Sequence, residues 1–250
     1  MKISIITATY NSSKTIGSAL ESVISQTYPN IEHLIVDGAS KDDTIEIVKS
    51  YQKDHPHIRY ISEPDQGIYD ALNKGIAMAT GDILGFVHAD DMLAHPDTIA
   101  QIAAAFKANN CDGVYGDLYY VNAQDTTKVI RNWRSKSFKT KLLKRGWMPA
   151  HPTLFLKTSL YHTYGVFDTS FRIAADYELV LRIFKHPHLQ FHYLPLTIVK
   201  MRVGGVSNRS IQNILQKSKE DFRALKRHRL PIPWYTLFMK NLSKIPQFFG

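Results

Sequence analysis

The feature that most constrains this chain is the order of its apolar runs over residues 1–92. Short β-branched runs alternate there with stretches that are apolar at helical spacing. Residues 3–9 read as a strand, followed by a helix carrying Ile16, Leu20, Val23 and Ile24. Residues 32–36 read as the next strand. Asp42 or Asp43 then caps a helix carrying Ile45, Ile47, Val48 and Tyr51. Residues 58–62 read as a third strand, 68–79 as a helix closed by Gly81, and 83–87 as a buried strand. This β-α-β-α order predicts a parallel sheet with helices on both faces. Such sheets bind ligands beyond the carboxyl ends of their strands. Polar groups follow three of these strands: Tyr10-Asn11, Asp37 and Asp90-Asp91. They are expected to converge on one site.

The second half is less regular. Strands are predicted over 114–121, 128–133 and 191–201, with helices over 176–184 and 211–226. The end, from Pro231 onward, is aromatic and apolar with flanking basic residues. There is no internal repeat and no evident linker.

Charge divides the chain more sharply than pattern does. The net charge of +9 combines 8 Lys+Arg and 17 Asp+Glu in residues 1–125 with 23 and 5 in residues 126–250, which is −9 against +18. An acidic half suits a metal and sugar hydroxyls. A basic half suits phosphates, nucleic acid or an anionic membrane, or is simply a solvated face. No recognition motif accompanies the charge, so nucleic acid is not an expected partner.

Other classes fall away on composition. A hydrophobic fraction of 44% argues against disorder. Cys111, the one cysteine, excludes an internal disulfide framework and Cys-based zinc or iron–sulfur sites. No apolar run approaches the roughly 18 residues that span a bilayer. The first residues carry no signal-peptide pattern, so a soluble, cytoplasmic protein is expected. Walker A, G-x-G-x-x-G, H-E-x-x-H and G-x-S-x-G patterns are absent. His55/His57 and His186/His188/His192 complete no metal-ligand pattern and read as loop or surface residues.

Asp90 and Asp91 follow an apolar strand, where a buried unpaired charge is costly. That placement suits a hard, oxygen-liganded cation such as Mg²⁺ or Mn²⁺. A turn or a helix cap is the alternative.

Five segments, in order and in register, carry a resemblance. They are Ser4-Ile5-Ile6-Thr7-Ala8-Thr9-Tyr10-Asn11, Val36-Asp37-Gly38-Ala39-Ser40, residues 62–76, Ala79-Thr80-Gly81-Asp82, and Asp90-Asp91. Together they resemble family 2 glycosyltransferases. The likeness is strong over 1–92 and moderate over 147–208. Its best-matching subgroup builds bacterial cell-surface polysaccharides, colanic acid among them.

The resemblance implies an α/β GT-A fold. This is a Rossmann-like αβα sandwich with a mostly parallel central sheet, plus a helical C-terminal extension. Residues 1–208 would form the catalytic domain, with 1–110 binding the nucleotide sugar and 111–208 the acceptor. Residues 209–250 would form a basic, aromatic extension. Thr9, Tyr10 and Asn11 match the first nucleotide-contacting loop. Asp37 matches the carboxylate that recognises the base, typically uracil, whose N3–H needs an acceptor. Asp65, Gly67, Asn73 and Lys74 match the segment beside ribose and diphosphate. Asp90 matches the last Asp of the D-x-D metal motif, across Ala89 from His88. His88 departs from the pattern, since Asp is usual there, and leaves the ribose contact open.

Asp176 matches the catalytic base. Read alone it is as well a helix N-cap, and a helix N-terminal position favours the ionised carboxylate in either role. Asp91, His151, Tyr177 and Glu178 are expected to touch the acceptor or to support the residues that do. Gly204-Gly205-Val206-Ser207 fits a loop near the diphosphate or a simple turn. The implied reaction is inverting transfer from a nucleoside-diphosphate sugar, UDP favoured, assisted by Mn²⁺ or Mg²⁺. The acceptor would be a saccharide, free or linked to polyprenyl diphosphate. The basic half and residues 234–249 would then rest on an anionic inner membrane face, or pack on the domain or on a second subunit. A sugar nucleotidyltransferase is disfavoured because the first loop, Tyr10-Asn11-Ser12-Ser13-Lys14, lacks that class's Gly-rich phosphate loop. A non-catalytic nucleotide-sugar binder would be expected to lack Asp90 or Asp176.

Overall fold

The strand β1 (Ile3–Thr9) has every residue buried, as a central strand covered on both faces must. Its side chains alternate between two cores. Ile6 and Ala8 face one, Ile3 and Ile5 the other. The computed structural model describes residues 1–204 and 211–242. Gly205, Val206 and Ser207, and residues 243–249 of the tail, lie outside the described residues.

In chain order, β1 is followed by α1 (Ile16–Ile24), β2 (Ile31–Asp37), α2 (Thr44–Asp54), β3 (Ile58–Ser62), α3 (Ile68–Met78) and β4 (Ile83–Phe86). Then come β5 (Asp91–Leu93), α4 (Thr98–Asn109), β6 (Gly113–Val121), β7 (Val129–Trp133), β8 (Phe155–Lys157), α5 (Thr158–Tyr164) and α6 (Ala175–Phe184). The last three are β9 (Phe191–Arg202), α7 (Ile211–Arg227) and α8 (Pro233–Leu242).

One sheet runs β3-β2-β1-β4-β8-β6-β9-β5, with β7 beside β6. The first four strands are parallel. β8 reverses direction against β4 and β6, and β5 runs antiparallel to β9. The α/β class and the parallel first half therefore match the sequence reading. The sheet continues without a break into the second half.

α1 buries Ile16, Ala19, Leu20 and Val23, the apolar stripe visible in the sequence. α4 escaped that reading, although Ile99, Ile102, Ala103 and Phe106 supply the same spacing and are all buried. β5 and β8, three residues each, are too short to show a period. Gly81 does not close α3, which ends at Met78. Its N–H instead donates to Ser4 Oγ (2.9 Å) and Glu32 Oε1 (3.1 Å). α2 takes Asp43 as its N-terminal cap residue without a side-chain bond. Asp42 does the capping work, accepting from the N–H of Thr44 and of Ser13, both at 3.1 Å.

Candidate active site

The expected convergence is present at the carboxyl edge of the sheet. β1 and β2 end in two interlocked loops. The Asn11 N–H donates to Ser40 Oγ (2.8 Å), and the Lys41 N–H donates back to Asn11 Oδ1 (2.9 Å). Asn11 (φ 49°) and Ala39 (φ 60°) are both left-handed. Asn tolerates this conformation, whereas Ala is held there at a cost of about 1–2 kcal/mol. Gly38 sits between Tyr10 and Asp65. A Cβ there would lie 2.5 Å from Asp65 Oδ2 and 3.4 Å from the Tyr10 ring. Two sequence candidates, Tyr10 and Asp65, therefore meet around one glycine. Asp65 also turns the chain into α3 by accepting the Gly67 N–H at 2.8 Å. Gly67, with φ +117°, needs the freedom of glycine. Tyr10 is 58% exposed and free to stack on a planar ring.

Asp37 is fully buried. Its Oδ2 accepts from the Ser40 N–H (2.9 Å) and the Ser62 hydroxyl (2.7 Å). The Ser40 hydroxyl donates to Oδ1. Only Oδ1 keeps an uncommitted lone pair.

The β4–β5 turn carries His88, Ala89, Asp90 and Asp91. Arg202, at the end of β9, holds it from outside. Its Nη1 donates to the Asp90 carbonyl (2.7 Å), its Nη2 to Ser18 Oγ (3.0 Å), and its backbone N–H to Asp91 Oδ1 (3.3 Å). Asp91 is fully buried. Burial, then the charge of Asp90, pushes its carboxyl well above the usual carboxylate range. Thr9 Oγ1, His88 Nδ1 and Asp91 Oδ2 are buried without a hydrogen-bond partner among the described residues. Three orphaned polar atoms at the ends of β1, β4 and β5 fit a site built for a polar ligand. A hard cation fits the same place, because the half-buried Asp90 offers carboxylate oxygens. No three His, Cys, Asp or Glu side chains form a ready cation cage among the described residues. Remaining ligands would come from the diphosphate.

An aromatic ladder connects this turn to Asp176. His88 lies 6.4 Å from His151, ring centre to ring centre. His151 stacks on Phe86 (5.2 Å) and meets Phe167 edge-on (5.4 Å). Phe167 packs on Tyr69 (5.3 Å). The Tyr69 hydroxyl donates to the Ile173 carbonyl (2.8 Å) and lies 3.4 Å from Asp176 Oδ1. Burial, followed by the charge of Asp176, pushes the Tyr69 phenol far up, so it stays a neutral donor. Burial depresses both imidazoles, His151 to about 4, against the opposing pull of Asp90 and then Asp176 on His88 and of Asp176 on His151. The Asp176 charge thus reaches His88, His151, Tyr69 and Tyr120.

Asp176 is not the cap of α6. Ala174 holds that position, and Asp176 is the second helical residue, with Oδ1 accepting the Tyr177 N–H at 2.7 Å. The turn before it hangs on Glu220 of α7, whose carboxylate accepts the N–H groups of Arg172 (3.0 Å), Ile173 (2.9 Å) and Ala174 (3.0 Å). Nothing local in the sequence marks Glu220.

Four candidates are engaged elsewhere. Asn73 pins the chain before α6, donating to the Phe167 carbonyl (2.9 Å) and accepting the Phe167 N–H (3.0 Å). Lys74 donates to the Pro64 carbonyl (2.8 Å) and pairs with Glu63 (2.8 Å). Tyr177 is 1% exposed, with its ring 3.3 Å below the Lys240 ammonium. Glu178, 2% exposed, takes hydrogen bonds from Arg182 Nη2 (2.6 Å) and shares one with His228 Nε2 (2.8 Å). Neither Tyr177 nor Glu178 has surface for an acceptor to touch, and Asp91 has none either.

The chain is similar in sequence and in fold to known proteins. The sequence profile described as glycosyl transferase family 2 matches residues 4–165. A PGL/p-HBAD biosynthesis glycosyltransferase of Mycobacterium tuberculosis is 32% identical over 208 residues, 82% of this chain and 78% of that protein. The S. aureus TarS structure superposes with a TM-score of 0.65 at 19% identity, covering 91% of this chain but only 43% of TarS. A mannosyltransferase from Pyrobaculum calidifontis, in complex with GDP-Man and Mn2+, gives a TM-score of 0.65 at 19% identity. The match covers 97% of this chain and 73% of that one. Shorter TarS forms are in complex with UDP and with UDP-GlcNAc.

Proposed function

The chain belongs to glycosyl transferase family 2 and has the GT-A fold, and from that premise we propose that it is an inverting glycosyltransferase acting on a nucleoside-diphosphate sugar. One observation carries the reading. The half-buried Asp90, backed by buried Asp91, and a separate carboxylate, Asp176, stand at the two ends of a ladder of neutral rings that begins at His88. A transferase needs one acidic group for the leaving diphosphate and another for the attacking hydroxyl.

In this reading residues 1–110 hold the donor and 111–208 the acceptor. Tyr10 stacks on the base, and the free lone pair of Asp37 Oδ1, fully buried under the Ser40 loop, accepts its N–H when that loop opens, which favours uracil. Asp65 and Gly67 border the ribose and diphosphate. His88 Nδ1, lacking a partner, is available to the ribose hydroxyls. Mn²⁺ or Mg²⁺ held by Asp90, with Asp91 behind it, would neutralise the departing diphosphate. Asp176 takes the proton of an acceptor hydroxyl as that oxygen forms its bond to the anomeric carbon. The bond from that carbon to the diphosphate oxygen breaks on the opposite face, and the configuration inverts. Tyr69 keeps the Asp176 carboxylate aimed, and His151 stands in the ring ladder beside it. The acceptor is a saccharide, free or carried on polyprenyl diphosphate, in cell-surface glycan synthesis.

The test is calorimetric titration with UDP, GDP, TDP and CDP, with and without Mn²⁺, followed by transfer assays on variants. One nucleotide should bind in a metal-dependent way, and Asp90→Ala should weaken it. Asp176→Asn should keep that binding and lose transfer by about 10²–10⁴-fold, the usual worth of a general base. Wild-type transfer by Asp176→Asn would overturn the assignment.

A further inference from the structure

The helix α8 is built inside out. Its buried positions are Thr236 and Lys240. The Lys240 ammonium pairs with Asp221 Oδ1 at 2.7 Å. Its outward positions are Trp234, Tyr235, Phe238 and Leu242, which are 72%, 48%, 63% and 44% exposed. Residues 234, 238 and 242 repeat every four positions, with 235 one step round, so they form one stripe. A helix of a water-soluble protein normally turns such a stripe inward.

The stripe continues onto α7. The Trp234 ring lies 4.4 Å from that of Phe222. Ile214 and Leu215, two turns earlier on the same face, are 49% and 57% exposed. Cations rim this surface. Lys219, Arg223, Lys226 and Arg229 are exposed, and the Lys226 ammonium sits 5.0 Å over the Phe222 ring. The two carboxylates between residues 211 and 242, Glu220 and Asp221, are both buried. The 3-10 turn Thr140–Arg145 packs against α8 through the Thr236 hydroxyl, which donates to the Lys144 carbonyl (2.9 Å). It adds exposed Lys141, Lys144 and Arg145.

We propose that the α7–α8 face docks the protein on an anionic lipid bilayer. Trp and Tyr rings settle at the headgroup level, an apolar helical stripe lies in the interface plane, and cations meet anionic headgroups. Charge selects this occupant over a second copy of the chain, because a symmetric pair would bring two basic rims together without a facing carboxylate. The proposal goes beyond sugar transfer and is tested without nucleotide, so either can fail alone.

The full chain is floated with phosphatidylcholine vesicles, with and without phosphatidylglycerol, at low and high salt. It should float with the anionic vesicles only, and high salt should release it. Trp234→Ser with Phe238→Ser should cut the partition coefficient about tenfold or more, since both rings would otherwise leave water for the interface. Trp emission should shift blue on anionic vesicles in the wild type, and not in Trp234→Phe. An unchanged far-UV circular dichroism spectrum and thermal midpoint show the double variant is folded. If it is not, Lys219→Glu with Lys226→Glu replaces it and should likewise abolish flotation. No flotation, or equal flotation of the variants, overturns the proposal. So does a wild-type dimer in sedimentation that Phe238→Glu dissociates.

Discussion

Glu220 holds the turn from which Asp176 projects. The two residues sit on different helices. The Glu220 carboxylate takes the N–H groups of Arg172, Ile173 and Ala174, three consecutive donors just before Asp176. Burial would push this carboxyl up, but those donors and Gln216 hold it below the usual carboxylate range. α7 is therefore part of the site's scaffold, although it touches no reacting atom.

Glu220→Ala should leave three N–H groups unpaired, each costing about 1–3 kcal/mol if kept dry. The expected kinetic signature is a fall in kcat with little change in the donor KM, because the donor loops lie elsewhere. Steady-state kinetics on Glu220→Ala and Glu220→Gln check this. A purely structural role would instead lower the active fraction without altering kcat per active site.

Arg202 gives a complementary expectation at the other end of the ladder. It ties the Asp90 carbonyl and Asp91 Oδ1 to α1 through Ser18. Arg202→Ala removes charge-assisted bonds worth about 1.5–3 kcal/mol. Calorimetry should show metal-dependent nucleotide affinity falling about tenfold, the equivalent of 1.4 kcal/mol. Unchanged affinity would mean that the turn stands without this arginine.

How much of this was legible in the sequence depends on distance along the chain. The strand-end carboxylates Asp37, Asp90 and Asp91 were legible because β-α-β order brings strand ends together. Asp176 is singled out as the proposed base by resemblance alone, since a first-turn Asp by itself reads as a cap. For Glu178 only the supporting half of the expectation is compatible with the helix: positions two apart point about 200° apart, so Asp176 and Glu178 cannot face one cleft. Asn73 and Lys74 occupy motif positions, yet their side chains serve the Phe167 peptide and Glu63. Glu220 and Arg202 act across long sequence separations, where no periodicity reports a contact.

Buried imidazoles set an acid limit. His151 is depressed to about 4 and His33 to about 3, in both cases first by burial. A histidine whose folded pKa lies below its unfolded value of about 6.5 leaves the unfolded state binding more protons. Its stabilising effect is full above pH 6.5 and is lost as pH falls from there towards 4. Urea unfolding at pH 7 and pH 5 should show the loss, and His151→Phe should reduce the difference between the two. An unchanged difference would mean that His151 is protonated in the fold.

Lys240 and Asp221 make the last case. Their ion pair at 2.7 Å is nearly dry, with side chains 7% and 3% exposed. Burial lowers the Lys240 pKa while Asp221 pulls the other way. Removing one partner strands the other charge, which costs about 3–5 kcal/mol. Lys240→Met should therefore destabilise strongly, because Asp221 stays behind. Lys240→Met with Asp221→Leu should recover most of that loss, since an apolar pair of similar volume is often neutral. A double-mutant cycle by urea unfolding measures the coupling. Additive losses would mean that α8 is held by Thr236 and its backbone contacts rather than by this pair.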